Sequence, residues 1–462
     1  MTTTGIRLGK VGALLILLAT ALTLLGGHWA SYLVTPVPGL YLVDLLFGVG
    51  SLLGVLLLPQ RLRDLGRLSW IFVGVWAYFF AFLLPEILLA PSNDRYLAIR
   101  DAAPFIYLSL IPLTAATLEG VSLRTLIWLV RCSASTMTFL GFLVAAGALA
   151  PFRIDLVSPS SAVLFFRGDL LGIGVGIAIV AWGPWTSVRV RQSLPIQGVL
   201  IVTGFAVVES RSGLTALLFA VTVAMVRNFR HSRSPVMPLC AALLGAAGIT
   251  IQVLGMSGIS HLTSTAVKSL TVPSETSMPS ETTGLGDQSA PGPTGMGLSV
   301  NPLRSSTVLA RLETWTLIVN GLTRDQSWLL GGAAGSDYLY ELCTGIPEAP
   351  DYVVHPDPKC PIDDNGIHPV LRDPHNFALN LVLTHGLVGL AVFLAALIFP
   401  SWNARRRPTS GLPISAVATY LVAGLTFIIG GSYALVPIAF FVAWMLKISA
   451  PVNGSRSHIA NQ

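Results

Sequence analysis

The stretch DPHNFALNLVLTHGLVGLAVFLAALIFP, residues 373–400, decides the fold. It opens on a polar tetrad, Asp373-Pro374-His375-Asn376, and then runs from Phe377 to Pro400 without an aspartate, glutamate, lysine or arginine. A helix rises about 1.5 Å per residue, so such a run is long enough to cross the roughly 30 Å hydrocarbon core of a bilayer. Its beginning marks the seam between a long polar segment and a membrane helix.

Working outward, the same kind of run recurs. The chain has 462 residues, of which 53% are hydrophobic and only 11% charged, with a mean hydropathy of +0.71. Soluble domains carry about 25% charged residues. The 44 glycines and 30 prolines fit a membrane setting, where helices tolerate both. The expected fold is an all-α polytopic membrane protein of about twelve spans. They lie near 11–27, 37–58, 68–90, 99–118, 124–150, 168–186, 194–209, 211–227, 236–255, 376–400, 413–430 and 432–450. Nine fall in an N-terminal block, 1–254, and three in a C-terminal block, 376–450, followed by a tail at 451–462. Arg7 and Lys10 precede the first run as they would in a signal peptide, but no small-residue cleavage site follows, so it reads as a retained helix.

Basic residues orient the spans. With the N-terminus inside, cytoplasmic segments collect Arg61, Arg63, Arg67, Arg189, Arg191, Arg227, Arg230, Arg233 and Arg405–Arg407. The short outer loops keep few, among them Arg95, Arg100, Arg153, Arg167 and Arg211. This asymmetry places both termini in the cytoplasm. The net charge of +6 is then an orientation signal and no argument for nucleic acid.

Residues 255–375 form one large extracytoplasmic loop that holds most of the chain's 22 acidic residues. Within it, 271–300 is rich in Ser, Thr, Pro and Gly and reads as a disordered linker. A short amphipathic helix is expected near 306–320, capped by Ser305 or Ser306 and stopped by Gly321. It would bear Leu309, Leu312, Trp315 and Val319 on one face and lie on the membrane or on the bundle. Leu329-Leu330-Gly331-Gly332-Ala333-Ala334-Gly335-Ser336 follows, a turn or an anion-binding nest. Cys343 and Cys360 share the loop and could pair or stay free, whereas Cys132 and Cys240 sit in apolar helices as packing residues.

Three places carry candidate chemistry. His375 lies at a helix start with Asp373 as N-cap and Pro374 in the first turn, where free N–H groups attract anions and help keep an imidazole neutral. The bland alternative is an interfacial histidine with no task. Arg211, in Val208-Glu209-Ser210-Arg211-Ser212-Gly213, stands between two apolar runs with almost no loop; it is either used or paired with Glu209 at the headgroup level. Arg167 and Asp169 form a similar couple. Arginine forks match phosphate geometry, and a histidine near neutrality suits general-base work. No P-loop, Asp-x-Asp pair or zinc-spaced His/Cys cluster is present, so neither a metal nor a nucleotide cofactor is expected.

In order along the chain, these motifs resemble the O-antigen ligase and O-antigen polymerase superfamily of bacterial membrane glycosyltransferases. The likeness rests on Ser210-Arg211-Ser212-Gly213-Leu214, on Arg311-x-x-x-Trp315 with the glycines up to Gly335, and on His375-Asn376-x-x-Leu379 with Gly386 and Gly389. Thr384 stands where that family often has Glu. The resemblance implies a bacterial plasma-membrane enzyme working on its extracytoplasmic face. The donor would be a glycan on polyprenyl diphosphate, and the acceptor a lipid, glycan or protein. It implies metal-independent, inverting transfer in which Arg211 and Arg311 bind the diphosphate and His375 takes the acceptor's proton. Asn376 would orient the reacting groups, and Arg167 and Asp169 would support them on physical grounds alone. The rival readings are a polysaccharide or lipid transporter, with charges deep in its spans such as Asp44 and Arg131, and a non-catalytic cell-envelope assembly protein.

Overall fold

The computed structural model describes residues 3–27, 41–90, 95–149, 166–183, 190–208, 210–232, 318–331, 376–425 and 432–449, with isolated positions 33, 152, 164, 315 and 316. Among them only helices form: α1 (Thr3–Gly26), α2 (Leu42–Leu52), α3 (Leu58–Leu65), α4 (Ser69–Tyr78), α5 (Leu84–Leu89), α6 (Arg95–Thr117), α7 (Leu123–Ala145), α8 (Gly168–Ala181), α9 (Val190–Val207), α10 (Arg211–Ser232), α11 (318–324), α12 (Phe377–Ala404), α13 (Gly411–Gly424) and α14 (Ser432–Ser449). Five described stretches are long and apolar enough to cross a membrane: Arg7–Gly26, Leu42–Leu89, Ala98–Gly120, Leu123–Ala145 and Phe377–Ala404. Shorter apolar helices accompany them. The chain is a helical membrane protein. The expected span at 236–255, the linker 271–300 and the tail 451–462 lie outside the described residues.

Side-chain contacts fix the helix directions. Asp44 meets Tyr107 and, two turns on, Ser51 Oγ lies 2.8 Å from Thr114 Oγ1, so α2 runs parallel to α6. Trp76 Nε1 donates to the Ser109 carbonyl and Tyr78 packs on Phe105, so α4 runs back the other way. The reversal passes through α3 and Gly66, whose φ of 53° suits only glycine well. His385 of α12 meets Asp101 at the start of α6, and Lys447 near the end of α14 meets Leu118 beyond the end of α6. Gly12 of α1 lies against Thr117 at the end of α6, so α1 runs against α6, and its far end, Gly27, lies near Leu170 at the start of α8, beside which α10 starts. The starts of α6, α8, α10 and α12 therefore share one face, and the ends of α6 and α14 share the opposite one.

The burial pattern is that of a bundle in lipid. Residues 434–446 of α14 and 169–181 of α8 are buried all round, as central helices must be. Trp70, Phe80 and Leu89 are instead 74%, 61% and 84% exposed on the outer surface, which only a hydrocarbon solvent tolerates in such number.

The two charges noted inside spans are committed to helix ends. Arg131 Nε donates to the Ala181 carbonyl (2.8 Å) and its guanidinium lies over the Trp182 ring, so it caps the C-terminus of α8. Asp44 accepts from the Tyr41 backbone N–H (3.2 Å) at the start of α2 and from the Tyr107 hydroxyl. Cys132, expected to pack, is exposed instead. α7 buries Val130, Arg131, Ala134 and Thr138, and position 132 turns away from that stripe.

Candidate functional site

Helices α8 and α10 start side by side. Ser210 caps α10: its Oγ accepts the Gly213 N–H (3.0 Å) and its carbonyl accepts the Leu214 N–H (2.9 Å). Arg211 is then the first helical residue; its side chain lies outside the described residues, as does Glu209. Arg167 precedes α8, and its Nη2 pairs with Asp169 Oδ2 at 3.0 Å. The other Asp169 oxygen accepts the Leu170 N–H at 2.9 Å, so a buried carboxylate sits in the first turn, where the helix dipole favours it.

Glycines press these two starts together. A Cβ on Gly213 would lie 2.2 Å from the Gly168 carbonyl oxygen, and one on Gly172 would lie 2.3 Å from Gly213 Cα. Further along, one on Gly176 would stand 3.0 Å from Ala220 Cβ. The contacts advance in the same direction on both helices, so α8 and α10 are parallel and nearly touch along the backbone, as small residues at four-residue spacing allow. Parallel helices point both dipole-positive ends the same way. The structure thus unites two of the sequence-predicted places: the Arg167–Asp169 pair and the Ser210–Gly213 junction.

Asn376 stands on the same face. Its Oδ1 accepts the Leu379 N–H (3.0 Å) and its Nδ2 donates to the Leu425 carbonyl (3.1 Å), just past the end of α13. It is therefore the N-cap of α12, a place expected for Asp373, and its amide is largely committed to structure. Both residue types cap well; the second bond to Leu425 is what selects Asn376. His375 comes one residue before the cap, ahead of the helix. His375, Asp373 and Pro374 lie outside the described residues, as do Arg311, Cys343 and Cys360.

Below Asn376, α12 is broken. Gly386 has φ 65° and ψ −173°, which frees the next backbone N–H groups from the helix. A turn that follows α11, closed by the Gly331 N–H on the Ser327 carbonyl (2.8 Å), fills the gap. The Trp328 carbonyl accepts from Leu387 N–H (2.8 Å) and the Leu329 carbonyl from Val388 N–H (3.2 Å). Gly331, with φ 87°, lies so close to the Thr384 carbonyl that a Cβ would come within 2.6 Å of it. Broken backbone at membrane depth persists only where protein satisfies it, and that requirement is met here. By helix rise the break lies about 14 Å below the start of α12.

The piece that inserts is delivered by α11. Ile318 and Leu322 bury against Val382 and Leu383 of α12, so this helix lies on the bundle. Of the expected stripe, Trp315 is half-buried, whereas Val319 is exposed and Ile318 takes its place; Leu309 and Leu312 lie outside the described residues. Gly321 does not stop the helix either, because it is buried inside it. The stop comes at Gln326 (φ 53°), with Ser327 N–H on the Leu322 carbonyl and Gln326 N–H directed to that of Thr323, a Schellman arrangement.

Sequence reasoning did not find His385 as part of this constellation. Its ring is 1% exposed, Nε2 lies 2.9 Å from the Asp101 carbonyl, and the ring meets Phe105 edge-on. The Tyr78 hydroxyl donates to its carbonyl at 3.4 Å. The adjoining Gly386 was the available signal, a glycine inside an otherwise unbroken apolar run. No protein-family model matches the chain, and no curated protein matches it.

Proposed function

We propose that the protein is a bacterial plasma-membrane glycosyltransferase that moves a glycan from polyprenyl diphosphate to an acceptor hydroxyl on the extracytoplasmic face. The observation that carries this reading is the pair of parallel helix starts pressed together at Gly168 and Gly213, with Arg167 and Arg211 at their mouths. Two dipole-positive ends and two guanidinium-bearing residues at one membrane face suit a diphosphate. Arg211, joined by Arg311, offsets the charge that develops as the diphosphate leaves. His375, just ahead of α12, removes the acceptor proton. The acceptor oxygen bonds to the anomeric carbon, the bond from that carbon to the diphosphate oxygen breaks, and its electron pair departs with the lipid. The transfer is inverting and draws on no metal. Both termini are cytoplasmic.

Reconstitution with a polyprenyl-diphosphate glycan and candidate acceptors tests this. Loss of a general base typically costs about 10²–10⁴-fold in rate, and loss of one leaving-group stabiliser about 10²–10³-fold. His375→Ala and Arg211→Ala should insert normally and lose transfer on those scales. Wild-type rates in either variant remove that residue from the mechanism.

One observation favours a second reading, a lipid or polysaccharide transporter: the helix broken at Gly386, a device transporters also use. Against it, Asp44 and Arg131 are spent as caps. Translocation of a labelled lipid-linked glycan without glycan transfer would decide for the transporter.

A further inference from the structure

On the face opposite this site, α1, the turn Val55–Leu57 and the residues after α6 leave a cavity of about 460 Å³. Its walls are mainly apolar, with Ala13, Leu17 and Leu57 among them, and Lys10, Thr117 and Glu119 supply its polar groups. Lys10 is exposed. Leu14, on the same wall, is 66% exposed, so the cavity is continuous with the lipid-facing surface.

Charge gathers behind it. Arg61 on α3 is only 2% exposed, and its Nε and Nη2 have no hydrogen-bond acceptor. Lys447 spans to the Leu118 and Glu119 carbonyls at 2.8 and 2.7 Å, which brings a third cation to the end of α6. Glu119 lies within electrostatic reach of Arg61 and Lys447, and Asp64 of Arg61. Arg7 is exposed one turn before Lys10. Cations thus outnumber carboxylates around an apolar groove at a membrane face.

We propose that this groove binds one anionic phospholipid. An acyl chain lies along Ala13, Leu17 and Leu57, and the phosphate sits at Lys10 within the field of Arg61 and Lys447. An apolar wall alone would take any lipid; the excess of cations selects a negatively charged head group. The site is independent of the glycosyl-transfer reading, because it shares no residue with it and lies on the other face.

The test is native mass spectrometry of the full chain in detergent, titrated with phosphatidylglycerol or phosphatidylcholine of identical acyl chains. One basic residue near an anionic head group contributes about fivefold in affinity. The first phosphatidylglycerol should therefore be held at least about fivefold more tightly than the first phosphatidylcholine. Lys10→Gln should erase most of that preference while leaving the unfolding temperature of the lipid-free protein unchanged. Arg61→Gln, if it folds, should lower the preference further. Equal retention of the two lipids by wild type overturns the proposal, and so does an undiminished preference in Lys10→Gln. Glycerol phosphate at the same concentration should not displace the lipid; displacement would show a bare anion site and overturn it as well.

Discussion

Glycine does different work at the α8–α10 seam and at the break in α12. Along the seam, Gly168, Gly172 and Gly213 sit in or at the start of regular helices, and what matters is the missing Cβ. At the break, Gly331 and Gly386 also lack room for a Cβ, but both hold positive φ as well. The seam needs a short distance; the break needs a short distance and a torsion that other residues resist. The two regions should therefore respond differently to the same added methyl group.

The break should be the more fragile. Gly386→Ala would place Cβ 2.2 Å from the Leu329 carbonyl oxygen and force alanine to φ 65°. Strained backbone costs about 1–3 kcal/mol and overpacking about as much again, so a loss of about 3 kcal/mol or more is expected. Thermal unfolding in detergent reads it. An unchanged midpoint would mean that Trp328–Gly331 need not enter the gap for the protein to be stable.

At the seam, Gly213→Ala brings only the steric term, about 1–3 kcal/mol. Its more telling effect is on function. The methyl group separates the starts of α8 and α10, so transfer in the reconstituted assay should fall by more than the stability change explains. If stability drops while the rate per folded molecule holds, the seam serves packing alone and the paired helix starts are not the diphosphate site.

The contrast also explains what the sequence could disclose. Apolar runs revealed the helices, because length and polarity are local properties. The Arg167–Asp169 pair was legible too, since two residues at a helix start are neighbours wherever the helix goes. Gly168, Gly172 and Gly176 recur at the spacing of close packing, but nothing local names Gly213 as the partner. The break was hidden because membrane helices commonly carry glycine, so Gly386 and Gly389 do not by themselves separate a broken helix from a continuous one. Only carbonyls from Trp328 and Leu329, more than fifty residues earlier, satisfy the donors that a break exposes. Arg131 looked like a buried charge for the same reason: its role depends on the far end of α8. Asp44 is different, since its bond to the Tyr41 N–H is local and only the Tyr107 hydroxyl comes from another helix.

The cap of α12 gives a smaller and more selective effect. Asn376→Ala removes the acceptor for the Leu379 N–H and the donor to Leu425, and losing such a cap typically costs about 0.5–2 kcal/mol. Asn376→Asp keeps the cap but sets a carboxylate oxygen against the Leu425 carbonyl, so part of that loss should remain. If Asn376 is structural, the aspartate variant should transfer at the wild-type rate per folded molecule. A stable Asn376→Asp protein that cannot transfer glycan would instead return the amide to the reacting groups.

The smallest effect tests the comparison itself. Gly198 lies inside α9, and a Cβ there would meet nothing within 4 Å. It has neither the close neighbour of Gly213 nor the positive φ of Gly386. Alanine at such a helical position restricts the unfolded chain and covers exposed backbone, so Gly198→Ala should stabilise by about 0.5–1 kcal/mol. Measured beside Gly213→Ala in the same detergent, the two should differ in sign. If Gly198→Ala destabilises as much as Gly213→Ala, added side-chain bulk harms these helices wherever it falls. The seam could then no longer be credited with a special contact, and the paired helix starts would lose the packing argument that holds them together.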